Sequence, residues 1–315
     1  DSVTATEVDA AVRATDVGVY LDAELRPLSR ASLRGGVRAD GLSFASREHG
    51  ASSGAARTAQ GQHVGVKGTA EVILLPGLRA TASYGQGFRS RQARSLGDGE
   101  QTPFTRVESQ EVGVRFSDGS RLSGALAGYR TTLSEDLVFD ETTSRNEGVP
   151  GTLRLGLVGD LVAEPVEWFT STVGFTYTHA TFRESSGPYE EGGLVPFVPQ
   201  IVARTELGVN LPVREVGTRA LVVRAGLGST ALFRRPIPFG EFGSDVMLVD
   251  LLAAARLAEL ELALEVWNLF DRAWNDGEFV YASNFRRGDH ASALPVRHVT
   301  VGAPRQLMLS LSLRL

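Results

Sequence analysis

From Gln306 to Leu315 the chain alternates without a break, with Leu307, Leu309, Leu311, Leu313 and Leu315 set against Gln306, Met308, Ser310, Ser312 and Arg314. A period of two sends successive side chains to opposite faces of a sheet, so this segment is a strand with one wholly apolar face. Two readings fit it. One is a half-buried strand over a soluble core; the other is a barrel strand with leucines against lipid and polar groups toward a wet lumen. The same alternation recurs along the chain. Val17, Val19, Leu21, Ala23 and Leu25 alternate with Asp16, Gly18, Tyr20, Asp22 and Glu24, and Val112, Val114 and Phe116 with Glu111, Gly113 and Arg115. Phe169, Ser171, Val173, Phe175 and Tyr177 alternate with Trp168, Thr170, Thr172, Gly174 and Thr176, and Leu262, Leu264 and Val266 with Glu261, Ala263 and Glu265. Such segments number roughly thirteen, many of them about ten residues or longer, the length a tilted strand needs to cross a bilayer. Soluble strands are commonly about half that length.

The connections alternate as well. Short ones, with the Gly, Pro, Asp and Ser chemistry of tight turns, are expected around Arg26 to Ser29, Pro76-Gly77, Ser117 to Ser120, Glu164-Pro165, Pro212 to Gly217 and Ala258-Glu259. Longer ones, rich in Gly, Ser and charge, are expected around Arg47 to Gly61, Arg89 to Pro103, Asp140 to Val149, Glu184 to Pro196, Pro236 to Ser244 and Asp271 to Arg305. Tight turns at one end and long loops at the other describe an antiparallel up-and-down transmembrane β-barrel, with periplasmic turns and extracellular loops. A soluble sandwich has no reason to segregate loop lengths in this way.

Composition narrows the picture further. The 42% hydrophobic content and a mean hydropathy of −0.05 suit a wall in which only alternate residues touch lipid. No apolar run is long enough for a transmembrane helix. Without cysteine there is neither a disulfide framework nor a thiolate metal site. A net charge of −5 argues against a nucleic-acid partner, which calls for a basic excess.

Three segments carry a family resemblance. Glu265-Val266-Trp267-Asn268-Leu269-Phe270-Asp271-Arg272 resembles the NLFD motif on the penultimate strand of TonB-dependent outer-membrane receptors. Gly302-Ala303-Pro304-Arg305, followed by the leucine strand, is similar to the G-x-P-R lead into that family's last strand, and Ala82-Ser83-Tyr84-Gly85-Gln86-Gly87-Phe88-Arg89-Ser90 to its SYGxGFR segment. Their order and spacing match over nearly the whole chain. One departure is Leu315, where the family commonly ends in an aromatic residue.

The resemblance implies a single domain over residues 1–315, the C-terminal part of a receptor barrel. About thirteen strands would belong to a barrel of about 22. A plug domain and a TonB-binding segment, which such receptors carry ahead of the barrel, are not among these residues. Asp1-Ser2-Val3-Thr4 does not have the pattern of a secretory signal either. The expectation is therefore an excised barrel portion or one piece of a split receptor. The implied location is the outer membrane of a Gram-negative cell. The implied partners are outer-membrane lipid and lipopolysaccharide, the barrel-assembly machinery, TonB acting through the plug, and a scarce small ligand such as a ferric siderophore, haem, cobalamin or an oligosaccharide. No enzyme activity and no cofactor are implied. The alternatives are a plugless channel or porin, and a receptor-like barrel with a structural or adhesive role.

Candidate ligand groups follow from the loops and the lumen. Arg89, Arg91 and Arg94 sit at the mouth of one long loop, and Arg286, Arg287, Arg297 and Arg305 in or beside the largest. Such clusters attract an anionic chelate, or else are solvated loop charge balanced by Asp276, Glu278 and Asp289, or bridge to lipopolysaccharide phosphates. His290 and His298 share the largest loop, but their spacing is no metal-ligand pattern. Scattered Ser, His and Asp lack the G-x-S-x-G elbow that would order a hydrolase. Trp267, Phe270, Trp274, Phe279, Tyr281 and Phe285 form either an aromatic girdle with loop packing or a ligand platform. Alternation places Trp267 with Glu265 on the lumen side, which makes it the first pore-lining candidate; Trp274 and Tyr281 of the same cluster are the other aromatic ligand candidates. Asn268, Leu269, Phe270, Asp271, Pro304 and Arg305 are the motif residues.

Overall fold

The computed structural model describes residues 10–48, 57–90, 104–140, 145–216, 219–282 and 295–313. The chain first forms twelve strands in order: β1 (Ala10–Leu28), β2 (Ala31–Glu48), β3 (Arg57–Leu75), β4 (Leu78–Ser90), β5 (Phe104–Ser117) and β6 (Leu122–Asp140), then β7 (Arg145–Val166), β8 (Phe169–Phe182), β9 (Ile201–Val216), β10 (Arg219–Phe233), β11 (Val246–Leu257) and β12 (Leu260–Trp267). The hairpin β13 (Asn275–Ala282) and β14 (Pro295–Val301) precedes the last strand, β15 (Gln306–Leu313). One antiparallel sheet of 13 strands runs β1 through β12 and then β15, each strand beside its predecessor, while β13 and β14 pair only with each other. The sheet is open, because β1 has β2 and β15 has β12 as sole hydrogen-bonded neighbour. Among the described residues no helix is long and apolar enough to cross a membrane, which is silent about strands.

Register carries one face intact across the whole sheet. Lys67 lies opposite Gly36 and Gly85, Glu111 opposite Ser83 and Tyr129, Glu206 opposite Thr172 and Gly228, and Glu265 opposite Leu252 and Met308. The other face is apolar from edge to edge, with Leu126 beside Val114, Leu227 beside Leu207 and Leu251, and Leu264 beside Ala253 and Leu309. These side chains have no protein layer over them. Leu126 is 46% exposed and Leu227 43%, although both lie on interior strands. A contiguous apolar surface of this extent marks contact with lipid rather than water.

Among the described residues, buried apolar groups form only small clusters. Val138, Val149, Ala180, Phe182 and Val195 pack at the loop end of β6 to β8, and Leu42, Phe44 and Ala59 at the loop end of β2 and β3. Stability must therefore come from the hydrogen-bond ladders and from the lipid around the sheet.

Glycines let side chains meet across an intervening strand. Lys67 on β3 reaches Asp22 on β1 at 3.0 Å over Gly36. A Cβ on Gly36 would collide with both partners. Tyr129 on β6 reaches Thr178 on β8 at 2.6 Å over Gly156 in the same way.

Several connections differ from their expected places. The turn expected at Arg26 to Ser29 falls at Ser29-Arg30, because Pro27 sits on the edge strand β1. The one expected at Glu164-Pro165 falls at Glu167-Trp168, with Pro165 inside a register shift between Ala163 and Val166. β9 runs past Pro212 to Val216. Proline breaks a central strand but is tolerated at edges and bulges. At the other end strands replace expected loop: β6 reaches Asp140 and β7 begins at Arg145, giving lengths of 19 and 22 residues. Strands of that length extend well beyond a bilayer, which about ten residues can cross.

The tight turn after β5 is organised by Asp118, whose carboxylate accepts from the backbone N–H groups of Ser120, Arg121 and Leu122 at 2.7–3.0 Å. These bonds to the ionised form lower its pKa from 3.8 to about 2. A lowered carboxylate pKa stabilises the folded state fully above the unfolded value and loses that contribution as pH falls through the folded one. The stability difference between wild type and Asp118→Ala is therefore expected to be constant above about pH 5 and to shrink between about pH 4 and 2. Denaturation midpoints of the folded barrel, taken at stepped pH, check this.

Candidate functional site

The lumen face is built from charged pairs held by register. Arg38 grips Asp40 at 2.7 Å, Arg79 holds Glu71 at 3.1 Å, and Arg204 holds Glu206 at 2.8 Å. Arg224 pairs with Glu261 from two strands away. Toward the loop end Asp136 is buried and accepts from Thr152 Oγ1 at 3.0 Å, Arg154 at 2.6 Å and Arg89 at 3.0 Å. Arg89 stands on β4, Asp136 on β6 and Thr152 and Arg154 on β7, so the cluster ties these three strands together.

Between β8 and β12 the lumen wall has a hollow of about 470 Å³. Gly208, Gly226 and Gly228 leave backbone as its floor, while Glu206, Asp250, Glu265 and Trp267 stand around it. Trp267 is 37% exposed there and lies opposite Gln306. An aromatic plane beside carboxylates and hydroxyls can stack on a ring and accept hydrogen bonds from it.

Among the described residues the connections after β8, β10 and β12 are cross-linked. Phe197 N–H donates to Pro236 O and Gln200 N–H to Arg234 O, joining the connection after β8 to that after β10. The β13–β14 hairpin is fastened to the latter through Glu278. That carboxylate is buried and accepts from Ser244 N–H at 3.0 Å and Asn275 Nδ2 at 2.9 Å, with Arg297 at 3.4 Å and Arg235 at 3.8 Å. Burial pushes its pKa up, but the Asn275 and Ser244 donors and the Arg235 charge outweigh this and hold it below the ordinary value. Arg297 also pairs with Glu241 at 2.8 Å. Glu278→Gln keeps the shape and removes the charge, so amide exchange over residues 275–301 is expected to quicken about tenfold, while the thirteen-stranded sheet exchanges as before. Hydrogen exchange read by mass spectrometry checks it. Equal protection in the two proteins would place the hairpin's anchor elsewhere.

The candidates read from the sequence divide. Arg89 is described and its charge is taken up by Asp136. Arg91, Arg94, Arg286 and Arg287 lie outside the described residues, as do Phe285, Asp289 and His290. Trp274 lays its indole on Gly302 and donates Nε1–H to Ala303 O at 3.0 Å. Tyr281 stacks on His298 with centroids 3.8 Å apart, and Phe279 meets Phe197 at 5.9 Å. Among the described residues no three His, Asp or Glu side chains are grouped to hold a metal ion. Sequence reasoning missed Asp136 and the hairpin that carries Glu278, and named Glu278 only as one of the carboxylates among the loop arginines. The signal for the hairpin was present in Val299 and Val301 alternating with His298 and Thr300, inside a stretch read as loop.

The motif residues form a corner at the top of β12. Asn268 has φ 50°, and its amide closes on the backbone beyond it: Oδ1 accepts from Arg272 N–H at 2.9 Å while Nδ2 donates to Arg272 O at 2.9 Å and Ala303 O at 3.3 Å. Asp271, at φ 50°, accepts from Arg305 N–H at 2.9 Å. Leu269 N–H donates to Val249 O, and Asn268 N–H to Asp250. The corner thus joins β11, β12 and the approach to β15. Phe270 is 74% exposed beside it, and Pro304 precedes β15.

Comparison with known proteins agrees with this architecture. The family model described as TonB dependent receptor-like, beta-barrel matches residues 1–234. No curated protein sequence matches the chain. Among solved structures, the ferric yersiniabactin uptake receptor FyuA from Yersinia pestis superposes with a TM-score of 0.73 at 15% identity, over 96% of this chain and 46% of that one. The closed form of the ferric-catecholate import receptor Fiu from K12 E. coli gives 0.71 at 15% identity, over 97% and 45%. The copper transporter OprC gives 0.70 at 14% identity, over 96% and 50%. This chain therefore spans half or less of the length of these three receptors. With residues 1–234 matched by the family model, the chain belongs to the TonB-dependent receptor-like β-barrel family.

Proposed function

We propose that the chain forms wall, lumen and extracellular cap of an outer-membrane receptor that takes up a scarce metal chelate, driven by TonB through a plug domain. The observation that carries this reading is the two-faced sheet. Thirteen strands keep an apolar outer face and a charged inner face in continuous register, a wall that suits a lipid bilayer on one side and an aqueous or protein-filled lumen on the other. The ferric-chelate receptors and the copper transporter that share the fold favour a metal chelate over an oligosaccharide. In the hollow, Trp267 supplies a stacking surface for an aromatic chelator. The sequence adds the cationic candidates Arg91, Arg94, Arg286 and Arg287, which lie outside the described residues.

The test is accumulation of radiolabelled iron from a ferric catecholate by cells carrying the full-length receptor. Uptake is expected only when TonB is present, and Trp267→Ala is expected to weaken half-saturation by about three- to tenfold, the worth of one aromatic contact. Uptake that persists without TonB, together with steady ion conductance in planar bilayers, would instead establish the plugless channel.

A further inference from the structure

We propose that the hollow between β8 and β12 is a subsite for a cationic arm, an ammonium or guanidinium, on the transported chelate. The proposal rests on the metal-chelate reading above and adds the charge of what enters. A hollow of about 470 Å³ with an aromatic wall suits many small ligands, and the charge around it decides among them. Its lining carries Glu206, Asp250 and Glu265 against a single cation, Arg204. Arg204 is already engaged, since it holds Glu206 at 2.8 Å on the same strand. Asp250 uses Oδ1 to accept from Asn268 N–H at 2.8 Å, which leaves Oδ2 for a ligand. Glu265 stands between Leu252 and Met308 and, among the described residues, holds no cation. Two negative charges therefore face the hollow with no countercharge from the described wall.

Register gathers these groups around one open spot. Gly228 on β10 lies between Glu206 on β9 and Asp250 on β11, and a Cβ added to it would meet nothing within 4 Å. Neighbouring strands about 4.8 Å apart put the two acidic Cα atoms about 10 Å from each other, so a small cation seated over Gly228 is within reach of both carboxylates. Leu251 pairs with Val266, which sets Trp267 beside Asp250 on the next strand. An indole face attracts an ammonium or guanidinium that comes within about 6 Å of its centre. Both cations carry several N–H donors, enough for the carboxylates and for the hydroxyls of Thr170 and Thr172 on the β8 side. An anionic group at the same spot meets like charge from β9, β11 and β12, and is disfavoured. The arm thus fixes the orientation of the chelate: its positive end faces β9 to β12, and an anionic metal centre lies away from this wall.

The experiment titrates the full-length receptor in detergent with phenethylammonium, phenethyl alcohol and phenylacetate, which share a ring and differ in charge, and follows binding by saturation-transfer NMR. Phenethylammonium is expected to bind at least about tenfold more tightly than the alcohol, with phenylacetate the weakest. Glu206→Gln combined with Glu265→Gln is expected to bring the ammonium down to the level of the alcohol. Gly228→Arg sets a guanidinium between Glu206 and Asp250 and is expected to exclude the ammonium. The comparison of the probes on the unaltered receptor needs no variant to fold. No binding of the ammonium, equal binding of all three probes, or an ammonium preference that survives either change would overturn the proposal. Iron uptake that requires TonB, in a receptor blind to the ammonium, would overturn only this inference. Uptake that persists without TonB would overturn the reading beneath it.

Discussion

Leu227→Arg is expected to destabilise the folded barrel by about 2–4 kcal/mol, whereas Gly228→Arg, one residue along, is expected to change stability by less than about 1 kcal/mol. Leu227 lies on the interior strand β10 with Leu207 and Leu251 on either side, and its side chain is 43% exposed with no protein above it. In water an arginine there would be nearly neutral. In lipid it must drag a guanidinium into hydrocarbon or bend the bilayer to reach the headgroups. Gly228 faces the lumen between Glu206 and Asp250, and an added Cβ would meet nothing within 4 Å. An arginine at that position gains two carboxylates as neighbours. The pair of variants measures the solvent on each face, since sequence position, strand and introduced residue are all but identical. Urea unfolding of the full-length receptor in lipid vesicles, followed by tryptophan fluorescence, gives the two free energies. Equal costs would mean that neither face is in lipid, and the soluble sandwich would return.

Much of this architecture is legible from periodicity because a barrel wall has only two environments. A strand in such a wall cannot bury both faces, so Leu307 to Leu313 and Val17 to Leu25 report their faces directly, and the count of roughly thirteen strands agrees with the 13-stranded sheet. Proline misled where it sat at an edge or a bulge. Pro27, Pro165 and Pro212 look like turn residues in sequence, yet each lies within a strand. The polar extensions of β6 and β7 misled for the opposite reason. Above the bilayer a strand no longer needs an apolar face, so its alternation fades while its hydrogen bonds continue.

The candidate site was less legible, because its decisive relations are between residues far apart in the chain. Arg89 reads as a free loop cation until Asp136, 47 residues later, is seen to hold it. Glu278 reads as one more loop charge until Ser244, Asn275, Arg235 and Arg297 close around it. The motif at Asn268 was recognised as a pattern, but its task appears only once Ala303 and Arg305 are beside it.

That task leads to the second large effect. Asn268→Ala is expected to cost about 3–5 kcal/mol, the sum of buried hydrogen bonds left unmade and a left-handed backbone forced on alanine. Asn268 is 4% exposed, so Arg272 N–H, Arg272 O and Ala303 O lose partners that water cannot easily replace. Asn268→Gly removes the same bonds but adopts φ 50° without strain, and should be less costly than alanine by about 1 kcal/mol. Asn268→Asp keeps the acceptor for Arg272 N–H and tolerates the backbone, but it turns a buried carboxylate oxygen onto Arg272 O and Ala303 O and is expected to cost at least as much as glycine. The expected order of stability is therefore wild type, Gly, Ala. The loss reaches beyond the corner because β15 pairs with β12 over only eight residue pairs, from Leu260 with Leu313 to Trp267 with Gln306. A slip of one residue there would turn Leu307, Leu309, Leu311 and Leu313 into the lumen and Met308, Ser310 and Ser312 into lipid. With Ala303 released from Asn268, Trp274 Nε1–H to Ala303 O, Gly302 N–H to Trp274 O and the Asp271 bond to Arg305 still hold the approach to β15. Folding yield should fall with stability, seen as a smaller heat-modifiable fraction of full-length receptor on cold electrophoresis. An alanine variant as stable and as well assembled as wild type would show that the ladder alone fixes the last strand, and that the corner has no part in setting its register.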